Sequence, residues 1–320
     1  MIVTILNISF LSLKVWIERY KRSVDPVPFY PFKPKTEVKF LPDIYQDRII
    51  LLFSGFNKPD TAMKGIFLIS FLIAVLFKPA SAQYSTLNAH SHNDYENVVP
   101  FRTAYDNHFG SIEADIWAVD GDLFVAHNRG DIRKERTLDA LYLEPAVKLF
   151  RQNGGKAWAD NTATFQLLID IKTPVEPALS ILIDKLLKNQ EVFRPDKNKN
   201  SIHIVITGNR PDLSDFQTYP DFILFDGILD SLYTSGELDR VALFSENIRK
   251  FTSWNGEGKI NPEDSIRLMK VINSVHALNK KIRFWNAPDD VNAWNTFTRM
   301  GIDFINTDHI EKLAGYFNNY

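Results

Sequence analysis

Ser111-Ile112-Glu113-Ala114-Asp115-Ile116-Trp117 is a strand sequence with an anomaly in it. Residues two apart on a strand share a face, so Ile112, Ala114 and Ile116 form one apolar side while Glu113 and Asp115 point together from the other. Two carboxylates side by side in a buried setting lose hydration and repel, which is unfavourable unless a cation or hydrogen-bond donors compensate. A metal ion is a natural compensation. The plain alternative, an exposed acid-x-acid pair kept for solubility, fits the flanking isoleucines less well.

Working outward, short β-rich apolar runs recur at Thr86–Ala89, Ser111–Trp117, Gln166–Ile171, Ile202–Ile206, Phe222–Phe225, Val241–Phe244, Ile282–Trp285 and Ile302–Ile305. Between them lie helical spacings at Leu138–Gln152, Pro177–Lys188, Pro262–Asn279 and Asp289–Met300. Strict alternation implies parallel strands joined by crossovers, and eight such units predict an α/β fold of the (β/α)8 TIM-barrel class. Asp120-Gly121 is a turn signal, so the second strand is expected to run into a short hairpin with Leu123–Ala126.

Barrel active sites gather at the C-terminal ends of the strands, which makes the polar residues closing each run candidates. For Asn209, Asp226, Ser245 and Asp308 helix capping or turn chemistry carries at least equal weight. Asp170-Ile171-Lys172 is stronger, because it closes the greasy run Leu167-Leu168-Ile169. Asp170 offers a third oxygen ligand and Lys172 a charge for an anionic substrate, the alternative being a pair that satisfies itself. Of seven histidines, His90 and His92 close the first run and His127 follows the hairpin, whereas His108, His203, His276 and His309 read as structural or surface residues. Imidazoles titrate near working pH and serve as general acid or base. Oxygen ligands from Glu113, Asp115 and Asp170 suit a hard divalent cation, Mg²⁺ or Ca²⁺ ahead of zinc. A hard cation, a lysine and two imidazoles together describe phosphoester chemistry.

Composition narrows the field. The chain has 320 residues, 37 Lys+Arg against 39 Asp+Glu, 45% apolar residues and no cysteine. Disulfides, thiolate metal sites and a cysteine nucleophile are therefore excluded. The near-neutral charge argues against a nucleic-acid partner, since neutralising many phosphates takes a cationic surplus. Met63-Lys64, the apolar run Gly65–Phe77 and Ala80-Ser81-Ala82 follow the order of a secretory signal peptide, with cleavage near Ala82 and an exported, periplasmic or extracellular product. On this reading residues 63–82 are the leader, 83–320 the barrel, and 1–62 an unassigned extension upstream of the true start; Pro26, Pro28, Pro31, Pro34 and Pro42 forbid a regular helix over Val24–Pro42.

The motif His90-Ser91-His92-Asn93-Asp94-Tyr95, Pro100-Phe101 with Ala104, Glu113-Ala114-Asp115, and Asp120-Gly121-Asp122-Leu123 leading into Val125-Ala126-His127 resemble the PLC-like phosphodiesterase superfamily. Within it the chain is similar to the "altered inheritance of mitochondria" phosphodiesterase-like branch. Thr137-Leu138 with Leu141-Tyr142-Leu143, Thr207-Gly208-Asn209, Phe284-Trp285-Asn286 and Asn306-Thr307-Asp308 extend the resemblance over residues 86–310. It implies a phosphoric diester hydrolase, or a cyclising lyase, in which Glu113, Asp115 and Asp170 hold the metal, His90 and His127 act as acid and base, and Lys172 contacts phosphate. His92, Asn93, Asn209, Trp285 and Asn286 are expected in substrate-binding or supporting places. The imidazole taken as reacting is His90, which directly follows Ala89, with His92 the other candidate. Ser91-His92 stands where glycerophosphodiesterases place Arg-Gly, and the third acid is aspartate, as in sphingomyelinase-D-like enzymes, so the headgroup does not carry over. A small-molecule or lipid phosphodiester is the expected substrate, with peripheral membrane contact in the lipid case and an unassigned oligomeric state. Two rivals remain: a barrel that binds a phosphate or headgroup without cleaving it, and a zinc amidohydrolase opening on His90-x-His92. The second needs further histidines at later strand ends, where Asp226 and Ser245-Glu246 stand.

Overall fold

The apolar side of the Glu113 strand decides the layering. In β2 (Ser111–Val119), Ile112, Ala114 and Ile116 are wholly buried among the residues that pack the strands against helices. β2 pairs in parallel with β1 (Ala89–Ser91), antiparallel with β3 (Asp122–Val125) and in parallel with β4 (Gln166–Ile171). The computed structural model, which describes residues 84–319, continues the ladder through β5 (His203–Gly208), β6 (Ile223–Gly227), β7 (Val241–Asn247) and β8 (Lys281–Trp285), and on the other side of β1 through β9 (Ile305–Thr307). The two ends meet where Arg283 of β8 bridges Phe304 and the N–H groups of Asp303 and Phe304 donate to the Ile282 carbonyl at 3.2 and 3.3 Å. Eight parallel strands thereby close into the (β/α)8 barrel that the alternation implied.

The outer ring is α1 (Arg102–Asp106), α2 (Glu144–Gln152), α3 (Val175–Leu187), α4 (Gln190–Phe193), α5 (Ser235–Asp239), α6 (Pro262–Ala277), α7 (Val291–Met300) and α8 (Ile310–Asn318). Leu268, Ile272 and Val275 of α6, and Ala293, Trp294, Phe297 and Met300 of α7, lie three or four apart and are buried. Inside the barrel a separate apolar plug of Leu168, Val205, Leu243 and Phe304 is sealed from solvent, each side chain contributing about 1.5–3 kcal/mol. Each stands two residues before a polar one: Asp170, Thr207, Ser245 and Asn306. The interior therefore changes from dry to polar toward the C-terminal ends of the strands, and the site has a floor that excludes water from below.

β4 has its expected bounds, and the Asp120-Gly121 hairpin forms with φ 50° and 82° at the two turn residues, as a tight type I′ turn requires. Three elements differ from expectation. Thr86–Asn88 is a 3₁₀ turn capped by the Ser85 hydroxyl, and β1 starts only at Ala89, so His90 lies within the strand rather than beyond its end. The last strand is Ile305–Thr307 rather than Ile302–Ile305, because the chain leaving α7 through Gly301 (φ 84°) first spends its Asp303 and Phe304 N–H groups on β8. The helix expected over Leu138–Gln152 is divided into a wide π turn, Asp139–Leu143, and α2. Pro145 supplies the reason, since it has no N–H and its ring bars the regular ladder behind it. The leader-like segment 63–82 and the extension 1–62 lie outside the described residues. Among the described residues no helix is long and apolar enough to cross a membrane.

Candidate active site

Register brings the acids together. Asp115 of β2 sits directly beside Asp170 of β4, with Glu113 one pleat deeper on the same face. One oxygen from each of the three lies within 4.8 Å of the others. Lys172 Nζ reaches Asp115 and Asp170 at 2.9 Å each, and the Tyr95 hydroxyl donates to Asp115 Oδ2 at 2.7 Å. These donors leave Asp115 Oδ1 buried with no hydrogen-bond partner. Burial, reinforced by the charges of Glu113 and Asp170, pushes the Asp115 carboxyl up to about 6. A desolvated oxygen without a donor, amid three carboxylates, is what a hard divalent cation satisfies, and the residues present fit such an ion.

Gly208 closes β5 at φ 70°, and a Cβ there would lie 2.0 Å from Asp170 Oδ1 and 2.8 Å from the Ile171 carbonyl. The backbone must pass this closely for Asp170 to hold its place. Gly208→Ala is expected to displace Asp170, to destabilise the fold by about 1–2 kcal/mol and to weaken Mg²⁺ or Ca²⁺ binding about 10–100-fold. Calorimetric titration of the variant with either cation checks this; wild-type affinity would refute it.

The three histidines near the acids occupy different environments. His90 is wholly buried. Gln166 donates to Ser111 Oγ at 2.9 Å, the Ser111 hydroxyl lies 2.7 Å from His90 Nδ1, and His90 Nε2 lies 2.7 Å from Glu113 Oε2. The ionised Glu113 carboxylate can only accept, so the imidazole donates Nε2–H to it, and the neutral ring then takes the Ser111 hydroxyl hydrogen at Nδ1. Burial and the Arg283 charge lower the His90 pKa to about 3, which keeps the ring neutral. Both ring nitrogens are thus engaged inside the barrel.

His92 instead lines the cavity. Its Nδ1 bonds Asp308 Oδ1 at 2.7 Å, which leaves Nε2 as the open nitrogen. Burial lowers its pKa, but the Asp308 hydrogen bond and the Glu113 charge outweigh that, so the net shift is upward. His127 lines the same cavity with its Nδ1 3.0 Å from the Tyr95 hydroxyl. The Tyr95 hydroxyl has Asp115 Oδ2 at 2.7 Å and Asn93 Oδ1 at 2.8 Å as acceptors, and His127 Nδ1–H faces the Tyr95 oxygen and, at 3.3 Å, Asp115 Oδ2, which leaves Nε2 of that ring toward the cavity.

The cavity measures about 510 Å³ and is walled further by Asn93, Arg210, Lys250, Arg283 and Trp285. Arg283 rises from β8 beneath the acids, donating Nη1–H to Glu113 Oε2 and Asn306 Oδ1 at 3.0 Å each, and Nε–H to Ser245 Oγ at 3.1 Å. It joins His90 in outweighing the effect of burial on Glu113, whose carboxyl is held well below the usual carboxylate range. Tyr95, Arg210 and Arg283 are site residues that the sequence did not single out, and Asp308, for which capping carried at least equal weight, is the partner of His92. Arg283 had a readable signal: an arginine between Ile282 and Phe284 in a barrel strand faces inward.

Asn209 and Asn286 stand outside the cavity. Asn209 ties its loop to the Thr173 carbonyl at 2.9 Å, and Asn286 reaches Asn247 at 3.3 Å. Asp226 serves as a stitch, accepting from Thr207 Oγ1 at 2.9 Å and from the Ser245 N–H at 2.7 Å. His108, His203, His276 and His309 do not line the cavity.

With this geometry in view, known proteins offer a comparison. The family described as an AIM6-like phosphodiesterase domain matches residues 79–219, and the glycerophosphoryl diester phosphodiesterase family matches residues 281–311. An altered inheritance of mitochondria protein 6 homolog from Arthroderma benhamiae is 27% identical over 267 residues, covering 71% of this chain and 83% of that protein. The altered inheritance of mitochondria protein 6 of Eremothecium gossypii is 24% identical over 282 residues, covering 71% of this chain and 68% of the relative. A solved glycerophosphodiester phosphodiesterase from Parabacteroides distasonis superposes with a TM-score of 0.43 and 14% identity, covering 73% of this chain and 95% of the other. Since one family matches β1 through β5, the other β8 and β9, and the relatives share one name, the chain fits the PLC-like phosphodiesterase superfamily, in the branch of the AIM6-like phosphodiesterase domains.

Proposed function

We propose that this barrel is a metal-dependent phosphodiesterase that cleaves a glycerophosphodiester or a phospholipid headgroup bond, with His127 as general base and His92 as general acid. The observation that carries the reading is the contrast between the two imidazoles. Each has Nδ1 fixed and Nε2 open, but His92 Nδ1 is held directly by the Asp308 carboxylate at 2.7 Å, whereas His127 Nδ1 lies 3.0 Å from the Tyr95 hydroxyl with the Asp115 carboxylate farther off at 3.3 Å. The close Asp308 carboxylate favours the imidazolium of His92, which donates a proton; on this reading the Asp115 charge beside His127 is taken up by the cation and Lys172, and His127 Nε2 takes the accepting role. His90, neutral and sealed beneath Glu113, positions that acid instead of reacting.

Glu113, Asp115 and Asp170 would hold the cation, Mg²⁺ or Ca²⁺, which when bound neutralises charge on a non-bridging phosphate oxygen. The chain's own residues do the rest. Lys172 and Arg210 attract the phosphate by charge. His127 Nε2 takes the proton from the attacking hydroxyl, water or an internal alcohol, as the new P–O bond forms. His92 Nε2 gives its proton to the leaving alkoxide as the old P–O bond breaks. The leader-like segment 63–82 supports an exported enzyme.

The test is a panel of glycerophosphodiesters and phospholipids with Mg²⁺ or Ca²⁺ added. Cleavage of at least one member is expected, with His127→Ala lowering kcat about 10²–10⁴-fold. In Asp308→Asn the His92 imidazolium loses the partner that raises its pKa. The alkaline limb of the rate profile, where the acid is lost, is then expected to move to lower pH, an effect that a merely structural role would not produce. Inactivity of the intact protein across the panel would overturn the assignment and leave a barrel that binds phosphate without cleaving it.

A further inference from the structure

We propose that the rim around the cavity mouth is a docking surface for an anionic lipid bilayer. The inference goes beyond the catalytic reading and does not need turnover to be true. Its first basis is where the two most exposed large apolar side chains of the described residues, Val98 and Leu232, lie. Val98, fully exposed at 100%, and its neighbour Val99 top the loop between β1 and α1; Leu232, 97% exposed, tops the loop between β6 and α5. Both loops leave the C-terminal ends of strands, the end at which the cavity opens. β1 and β6 stand well apart in the strand order, separated by β2, β4 and β5, so the two tips flank the mouth from different sides. Ile228 and Trp285, each 39% exposed, lie between tips and cavity and line its wall. Large apolar side chains this exposed, set around an opening, are a feature of surfaces that meet a partner.

The second basis is charge, and it selects the partner. The loop that follows His127 carries Arg129, Arg133, Lys134 and Arg136 against Asp131 and Glu135. Arg136 pins this loop beside the Val98 loop by donating to the Tyr95 carbonyl at 2.5 Å. Arg129, Arg133 and Lys134 are left exposed on the same rim. Apolar tips that enter the acyl boundary, next to cations that meet lipid phosphates, are complementary to an anionic membrane surface. No helix among the described residues can span a bilayer, so contact of the barrel is peripheral and is made by the rim. Docking this way turns the mouth toward the headgroups and continues the surface into the site.

The experiment is cosedimentation of the full chain with phosphatidylcholine vesicles and with vesicles containing 30% phosphatidylserine (~30%, enough to set a negative surface potential). Binding to the anionic vesicles is expected, weakening with salt, with the charge-removing variant Arg129→Gln/Arg133→Gln/Lys134→Gln bound about fivefold less per charge removed. Val98→Asp/Leu232→Asp is expected to lose at least about tenfold in binding while cleaving a water-soluble phosphodiester as wild type does. Asp115→Asn is expected to bind vesicles normally, so that failure of the catalytic reading and failure of this one are told apart. Wild-type protein that stays in the supernatant, or Val98→Asp/Leu232→Asp protein that sediments like wild type, would overturn the proposal; the first outcome points instead to a protein partner at the rim.

Discussion

Asp115→Asn is expected to make the protein harder to melt in chelator and, at the same time, to reduce phosphodiester cleavage by about 10³-fold or more. The two effects share a cause. Asp115 is buried, its Oδ1 has no donor, and Glu113 and Asp170 press their charges upon it. Its folded pKa, raised to about 6, stands above the roughly 3.9 of an unfolded chain. Below pH 4 both states are protonated and the folded state bears no penalty. As pH rises toward 6 the unfolded chain ionises first, so stability is lost, by about 2–3 kcal/mol at pH 7. The amide cannot ionise and escapes that loss, at the expense of part of the Lys172 contact. A gain of about 2–5 °C in Tm at pH 7.5 in chelator is therefore expected, shrinking at pH 5. Mg²⁺ or Ca²⁺ should raise Tm for wild type and leave the variant nearly unmoved. A variant that melts lower in chelator, or that keeps its turnover, would show that the acids are not a cation site.

Such a site was legible in part, and the reason is periodicity. A period of two is enough to put Glu113 and Asp115 on one face, and a run as apolar as Leu167–Ile169 is enough to bury the strand that ends in Asp170. Neighbouring parallel strands then need only register to make the acids converge, which the observed pairing of Asp115 with Asp170 supplies. What periodicity cannot say is where a strand begins. One displaced start turns an end residue into an interior one: β1 opens at Ala89 rather than Thr86, and His90 thereby faces Ser111 and Glu113 while His92 comes to the cavity.

Partners brought from distant sequence were equally out of reach. Asp308 reads as a cap after the last strand, yet it bonds His92 across 216 positions. Tyr95 belongs to a hexapeptide already noted for its histidines, but nothing local reveals that its hydroxyl lies between Asp115 and His127. The Asp308 contact depends on the barrel setting the first and last strands side by side, and the Tyr95 contacts on the loop after β1 packing over β2 and the end of β3.

Closure also explains the largest expected loss of stability. Arg283 stands at the seam between β8 and β9, and its side chain reaches Ser245 on β7, Asn306 on β9, and Glu113 on β2, with His90 of β1 2.6 Å away. One guanidinium thus ties β8 to β7, β9 and β2, four strands in all, through a buried ion pair and two hydrogen bonds. Its planar fork permits this, whereas an ammonium at the same depth lacks the second arm for Ser245. Arg283→Met removes the charge while keeping much of the volume, and leaves Glu113 ionised, desolvated and dependent on a neutral imidazole. Breaking a buried pair from one side costs about 3–5 kcal/mol, which in a domain of this size lowers Tm by about 10 °C. Arg283→Met/Glu113→Gln removes the stranded charge as well and is expected to recover more than half of the loss, a coupling that a double-mutant cycle measures directly. Equal destabilisation in the single and double variants would mean that Arg283 acts by packing at the seam rather than by holding Glu113 ionised. Recovery would show that the polar layer above the apolar plug is held by this pair, and that the barrel's closure and the charge of its deepest acid are maintained by the same side chain.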